Sequence, residues 1–252
     1  MLATLERRTI RLSRRHRTSR LDVGAREVLL FRVSDGEMTG IGESAPLDGY
    51  SPETLEECAA ALRGLTEPGS ILNAADPDAP DSTLAAMSTL PAPARAGVEV
   101  ALRDLAARRA DQPIWKTLGA GRSPHPSVSR LLSGSTIADL VEMASEAMEE
   151  GYTAVKIKIG SDHDVEMATE VRKAVGPDVR ISADANGAWS AAEAPAKLDA
   201  FSAAGVDWIE QPVRGIESMR SLTSASSVPL AIDEDLAEPG SLESPKAADI
   251  CC

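Results

Sequence analysis

Five charged side chains recur along the second half of the chain at intervals that a repeating fold can bring together. Lys156 and Lys158 alternate with branched residues in Val155-Lys156-Ile157-Lys158-Ile159, and Asp184, Glu210 and Asp233 follow at steps of 26, 26 and 23 residues from Lys158. The three carboxylates are hard oxygen donors of the kind Mg²⁺ takes while keeping water or substrate in its remaining positions. The lysines add a different property. Arginine holds its proton, whereas lysine releases one when its surroundings lower its pKa. Only six of the 26 basic residues are lysine, and two of the six sit in this one segment. Together these groups suit removal of a proton α to a carboxylate. A divalent ion on the carboxylate oxygens stabilises charge as it builds there. The metal and a neighbouring ammonium can turn a lysine into a base near neutral pH. Taken singly, each acid is more simply a helix cap, and the lysines could be solvated on an edge strand. Three acids at matched steps, facing two lysines, favour a site.

The elements needed to position these groups are visible in the pattern. From about residue 126, short apolar runs alternate with amphipathic stretches. Strands are expected at Ser127–Leu132, Ala154–Ile159, Arg180–Ala183, Val206–Ile209, Pro229–Ile232 and Ala248–Cys252, with helices near 137–150, 163–175, 191–204, 215–225 and 238–246. Such repetition implies parallel strands with crossover helices, in either a doubly wound sheet or a barrel. Each step is about one strand–helix unit, so the charged groups fall at the same end of successive strands. In a barrel that end is the mouth where sites are built. Alternation points both lysines to one face and the branched residues to the other, against helices.

The first part reads as α+β. Glu27–Val33 and Met38–Gly42 are strand-like around the turn Ser34-Asp35-Gly36-Glu37, and residues 4–12 offer another strand. Ser51-Pro52-Glu53 has the form of a helix start, with a cap, proline in the first turn and an acid at the positive dipole end. That helix is expected to reach about Leu65. A Pro-, Asp-, Gly- and Ser-rich loop is expected over 66–93, then a helix over Ala94–Ala110 carrying Val98, Leu102 and Leu105 on one stripe.

A hydrophobic content of 43% with 26% charged residues describes a globular chain, and no apolar run approaches the ~20 residues of a membrane helix. The net charge of -13 makes nucleic acid and anionic membranes poor partners. Arg7, Arg8, Arg11, Arg14, Arg15, Arg17 and Arg20 crowd the start with His16. That composition is shared by transit peptides, but strand-like sequence continues directly from it. It also suits a loop closing over an anionic substrate. Cys58, Cys251 and Cys252 form no metal or CxxC pattern, which suits a reducing cytoplasm. His16, His125 and His163 are scattered, and Gly40-Ile41-Gly42 is too short to be a phosphate loop.

Lys156-Ile157-Lys158, Asp184-Ala185-Asn186-Gly187-Ala188-Trp189, Trp208-Ile209-Glu210-Gln211-Pro212 and Ile232-Asp233-Glu234, in this order and spacing, resemble the muconate-lactonizing subgroup of the enolase superfamily. Sites of that superfamily pair a Lys or His base with Mg²⁺. The resemblance implies an N-terminal α+β capping domain over 1–122 and a (β/α) barrel over 123–252. It implies Asp184, Glu210 and Asp233 as Mg²⁺ ligands (Mn²⁺ as a possible substitute), Lys158 as base, and Lys156, Asn186 and Glu234 as supports. Gly40 to Ser51, followed by Glu53-Thr54-Leu55-Glu56-Glu57, looks like the capping loop of o-succinylbenzoate synthases, as does Leu131-Leu132-Ser133-Gly134 on the first barrel strand. Those lyases dehydrate 2-succinyl-6-hydroxy-2,4-cyclohexadiene-1-carboxylate to o-succinylbenzoate in menaquinone synthesis. Racemases of N-acylamino acids, dipeptide epimerases and cycloisomerases share the acids and the lysine motif. The family places a further lysine on its sixth strand and further strands beyond it. Lys246 comes too early for that role, so the sequence is expected to be a barrel cut after about six strands; a non-catalytic chain is the reading from another class. The expected partner is a small-molecule carboxylate.

Overall fold

The computed structural model describes residues 1–17, 22–119, 121, 127–134, 136–160, 163–237 and 248–251. The tip of the Arg-rich segment at 18–21, His125, the helix expected over 238–246, Lys246 and Cys252 lie outside these residues. The chain forms two compact units, Met1–His125 and Pro126–Cys252.

In the first unit, β1 (Leu2–Arg17), β2 (Asp22–Ser34) and β3 (Thr39–Ser44) make an antiparallel sheet in that order. The β2–β3 turn is the one expected. Asp35 Oδ1 accepts from the amides of Glu37 and Met38 at 2.9 and 2.8 Å, and Gly36 takes φ 101°. Helix α1 spans Leu55–Thr66, starting later than the Ser-Pro-Glu signal suggested. Thr54 is the true cap. Its hydroxyl accepts from Glu57 N while the Glu57 carboxylate accepts from Thr54 N, two reciprocal bonds that Ser51 cannot match. Ser51 instead closes a loop by accepting from Leu47 N, and Glu53 accepts from Ala92 N.

Residues 66–93 are not the bare loop expected. They hold a 3₁₀ turn at Ile71–Ala74 and a short helix α2 at Pro80–Ala85, anchored by buried Leu72, Leu84 and Met87. Helix α3 (Ala92–Arg109) then packs on β3, and a short α4 (Ile114–Thr117) follows. Gly40 and Gly42 have a structural task after all. A Cβ would fall 2.1 Å from Ala101 O at Gly40 and 1.9 Å from Gly97 O at Gly42, so only glycine lets strand and helix approach this closely. Gly40–Ser44 is therefore strand rather than loop.

The second unit alternates strand and helix: β4 (Arg130–Leu132), α5 (Ile137–Glu149), β5 (Ala154–Lys158), α6 (Asp164–Val175), β6 (Arg180–Asp184), α7 (Ala194–Ala203), β7 (Trp208–Glu210), α8 (Ile216–Ala225), β8 (Leu230–Ile232) and β9 (Ile250–Cys251). The first strand is shorter than expected, because residues 127–129 join no strand ladder among the described residues. All six strands are parallel and lie side by side in chain order. A doubly wound sheet reverses its strand order partway; this sheet does not, so it has the winding of a barrel. Val155, Ile157, Ile181, Ala183 and Ile209 are fully buried with Val171, Leu198 and Phe201 from the helices. Thr136 and Asp139 form a capping box that starts α5.

Candidate active site

The register brings the charged groups together. In parallel pairing, Lys158 stands opposite Asp184 and Asp184 opposite Glu210, so the two 26-residue steps are one rung of the sheet. Glu210 stands opposite Ala231, which puts Asp233 two residues higher on the same face. The branched residues of β5 point into the core while the two lysines remain partly exposed, at 26% for Lys156 and 33% for Lys158.

Lys156 Nζ donates to both oxygens of Glu210, at 2.9 and 2.7 Å, and lies 3.0 Å from Asp184 Oδ2. Lys158 Nζ donates to Asp184 Oδ2 at 2.5 Å and to Asn186 Oδ1 at 3.0 Å. Asn186 passes the contact on: its Nδ2 donates to Glu234 Oε1 at 2.9 Å. Asn186 holds φ 46°, a costly conformation for a side-chain-bearing residue, and its N donates back to Asp184 Oδ1. Two of the residues expected as supports, Asn186 and Glu234, thus form a chain behind Lys158, the expected base, while Lys156, the third, stands on Glu210 and Asp184.

Burial works against the Lys156 ammonium, but Glu210 and Asp184 outweigh it and hold its pKa above the ordinary lysine value. Asp184, almost wholly buried, is pushed up by desolvation yet ends below the usual carboxylate range because Lys158 and Lys156 bind its charged form. Glu210 goes the other way. Its burial raises its pKa, Lys156 opposes this, and the nearby charges of Asp184 and Asp233 add to the rise. The face therefore holds more negative charge than its lysines neutralise.

Among the described residues, no three His, Cys, Asp or Glu side chains are drawn tightly enough together to hold a metal ion, since the two ammonium groups take the carboxylate oxygens. The donor set nevertheless suits a hard divalent cation. Three carboxylates sit on neighbouring strand ends, a cation (the Lys156 ammonium) already lies on two of them, and Glu234 Oε2 is buried without a partner among the described residues.

Two residues in this region received no role from the sequence, although Gln211 stands in one of its motifs and Asp235 directly after another. Gln211, wholly buried and at φ 39°, bonds to Asp233, Asp235 and Val213 through its side chain. Asp235, also buried, is its partner. Gln211 was readable only as part of a motif, because its contacts reach a strand more than 20 residues away.

The comparisons with known proteins agree with this architecture. Residues 4–119 match the N-terminal domain of mandelate racemase / muconate lactonizing enzyme, and residues 139–251 match the enolase C-terminal domain-like family. N-succinyl-L-Arg/Lys racemase of Bacillus cereus is 28% identical over 221 residues, 83% of this chain and 58% of that protein. o-Succinylbenzoate synthase of Geobacillus stearothermophilus is 30% identical over 219 residues, 84% of this chain and 57% of that protein. This chain therefore spans less than three-fifths of the length of either relative. The solved dipeptide epimerase of Cytophaga hutchinsonii, complexed with Mg and D-Ala-L-Val, superposes with a TM-score of 0.85 at 20% identity, over 100% of this chain and 71% of that one. Capping unit, parallel barrel strands and both family matches together mean that the chain belongs to the enolase superfamily, in its mandelate racemase and muconate lactonizing branch.

Proposed function

We propose that this chain carries the proton-abstracting half of a Mg²⁺-dependent site acting on a small carboxylate, with Lys158 as base and Asp184, Glu210 and Asp233 as the metal's ligands. The observation that carries it is the rung of Lys158, Asp184 and Glu210 in direct register, with more carboxylate than ammonium around it. Bound there, Mg²⁺ would supply Lewis-acid stabilisation of the charge that builds on the substrate carboxylate when its α-proton leaves. Lys158 Nζ donates to two acceptors, Asp184 Oδ2 and Asn186 Oδ1. A cation on Asp184 would compete for that carboxylate, and Nζ, having given its proton to solvent, would accept one from substrate while still donating to Asn186 Oδ1. Glu234 fixes the Asn186 amide by accepting from its Nδ2, so Lys158 is aimed from behind. Lys156 stays charged and keeps Glu210 and Asp184 in place.

For the overall reaction we favour dehydration of 2-succinyl-6-hydroxy-2,4-cyclohexadiene-1-carboxylate to o-succinylbenzoate. It is supported by the Gly40–Ser51 segment and by similarity to the Geobacillus synthase. Racemisation of N-succinylamino acids is the second reading, favoured by the racemase similarity over nearly the same share of the chain. The protein is offered both substrates, with Mg²⁺ and with chelator. Metal-dependent formation of the aromatic product supports the first reading; metal-dependent loss of optical activity alone replaces it with the second. Asp184→Asn should weaken Mg²⁺ binding by about tenfold or more, read by titration calorimetry, and an unchanged affinity would remove Asp184 from the ligand set.

A further inference from the structure

Gln211 lies where three strand ends meet. Its main chain bridges them: Gln211 N donates to Ala231 O at 2.8 Å, and Gly187 N donates to Gln211 O at 2.6 Å. Its side chain is used to capacity. Oε1 accepts from the amides of Asp233 at 2.8 Å and Asp235 at 3.3 Å, and Nε2 donates to Val213 O at 2.8 Å and Asp235 Oδ2 at 2.9 Å. A glutamine side chain offers two donors and two acceptor positions, and all four are filled. The amide orientation is fixed by its partners, since a flipped amide would set NH₂ against two N–H donors. The residue is 0% exposed and holds φ 39°, a strained conformation that persists only where the surroundings over-determine it.

The two amides that Gln211 grips, of Asp233 and Asp235, flank Glu234. They open the 3₁₀ turn Glu234–Ala237, which Leu236 N closes onto Asp233 O at 2.9 Å. Asp233 and Glu234 lie past the end of β8, where no ladder bond fixes them among the described residues. We infer that Gln211 is the positioning residue of this site: it sets where Asp233 and Glu234 stand relative to Asp184 and Glu210, and Asp235 serves to orient Gln211. This rests on the metal reading proposed above. An apolar residue of the same size would strand two buried amides and one carboxylate. A glutamate would keep the acceptor for Asp233 N but turn a carboxylate oxygen onto Asp235.

The test uses Mn²⁺ as probe, its binding followed by electron paramagnetic resonance, with thermal melting of the metal-free protein alongside. Gln211→Glu should weaken Mn²⁺ binding about 10- to 100-fold, the usual effect of losing a partner that orients a ligand. Gln211→Glu combined with Asp235→Asn restores a donor to the pair and should recover most of that affinity. A purely structural role would lower the melting temperature of both variants and leave the affinity alone. The inference fails if Gln211→Glu binds Mn²⁺ as the wild type does, or if the double variant binds no better than the single one. Should Gln211→Glu alone not fold, Asp235→Ala takes its place: it leaves Gln211 Nε2 short of its acceptor and should weaken Mn²⁺ binding, and an affinity equal to that of the wild type overturns the inference. A wild-type protein that binds no Mn²⁺ overturns the metal reading itself, and the inference with it.

Discussion

The two ends of strands β6, β7 and β8 are built on opposite principles. At the N-terminal end, Arg172 reaches from α6 across the starts of two strands. Its Nη1 donates to Gly176 O at 2.7 Å and Val179 O at 2.6 Å, and its Nη2 donates to Gly205 O at 2.6 Å and Asp207 Oδ2 at 3.0 Å. Asp207 Oδ2 also accepts from Ile181 N at 2.7 Å. One cation meets one carboxylate, and the remaining donors are spent on main-chain carbonyls that would otherwise go unpaired. At the C-terminal end, Lys156 and Lys158 face Asp184, Glu210 and Asp233. Two of these acids are shifted in opposite directions, Asp184 down and Glu210 up; Glu234 has a buried oxygen without a partner among the described residues, and Asn186 and Gln211 hold positive φ. Charge balance and satisfied bonds mark an end that stabilises the fold. Excess charge, strain and an open oxygen mark an end prepared for a ligand, in line with the division of labour in barrels.

The contrast can be broken from either end. Lys158→Ala should lower turnover by about 10²–10⁴-fold, the range for a general base, with an unchanged circular dichroism spectrum; near wild-type rates would remove Lys158 from that role. At the other end, Arg172→Met should cost about 2–4 kcal/mol in urea unfolding by leaving three carbonyls and Asp207 short of donors, while Mn²⁺ affinity stays as it was. A loss of affinity there would mean that the two ends are not separable.

Glu210→Gln sharpens the comparison. Because the folded protein raises the Glu210 pKa, ionised Glu210 works against folding at neutral pH, and a neutral isostere relieves this. The metal-free melting temperature should rise, even as Mn²⁺ binding is lost. A fall would show that the bond to Lys156 outweighs burial.

The smallest effect lies in the first unit. The amides of Met38 and Glu37, with Arg109, hold Asp35 at about 2. A depressed acid contributes stability that is complete above its unfolded pKa of roughly 3.9 and is lost as pH falls toward the folded value. Asp35→Asn should therefore flatten the stability profile slightly between about pH 4 and pH 2, as followed by melting at stepped pH. A slope identical to wild type would count against this turn as a source of acid sensitivity.

Much of the second unit was legible because its chemistry is periodic. The two steps of 26 residues translate directly into strand register, the step of 23 ends two residues past it, and the alternation in Val155–Ile159 fixed which face the lysines take. The first unit was harder where local signals competed. Ser51-Pro52-Glu53 imitates a helix start, but Thr54 and Glu57 satisfy each other and win. Helix α2 is only six residues long and owes its existence to the burial of Leu84, which no local pattern announces. Gly40 and Gly42 were legible as part of a strand, but why that strand needs glycine depends on the close approach of α3, which no spacing reveals. Gln211 and Arg172 stayed hidden because the partners that matter most, Asp233 and Asp235 for Gln211 and Gly205 and Asp207 for Arg172, lie more than 20 residues away and leave no spacing to read.

The most direct test of Lys158 as a metal-assisted base is hydrogen exchange in D₂O at the carbon α to the carboxylate of an N-succinylamino acid, followed by proton NMR with Mg²⁺ and with chelator. Loss of the α-proton signal with Mg²⁺, abolished by chelator and by Lys158→Ala, is the result expected. Exchange that persists in Lys158→Ala, or that ignores the metal, would contradict it.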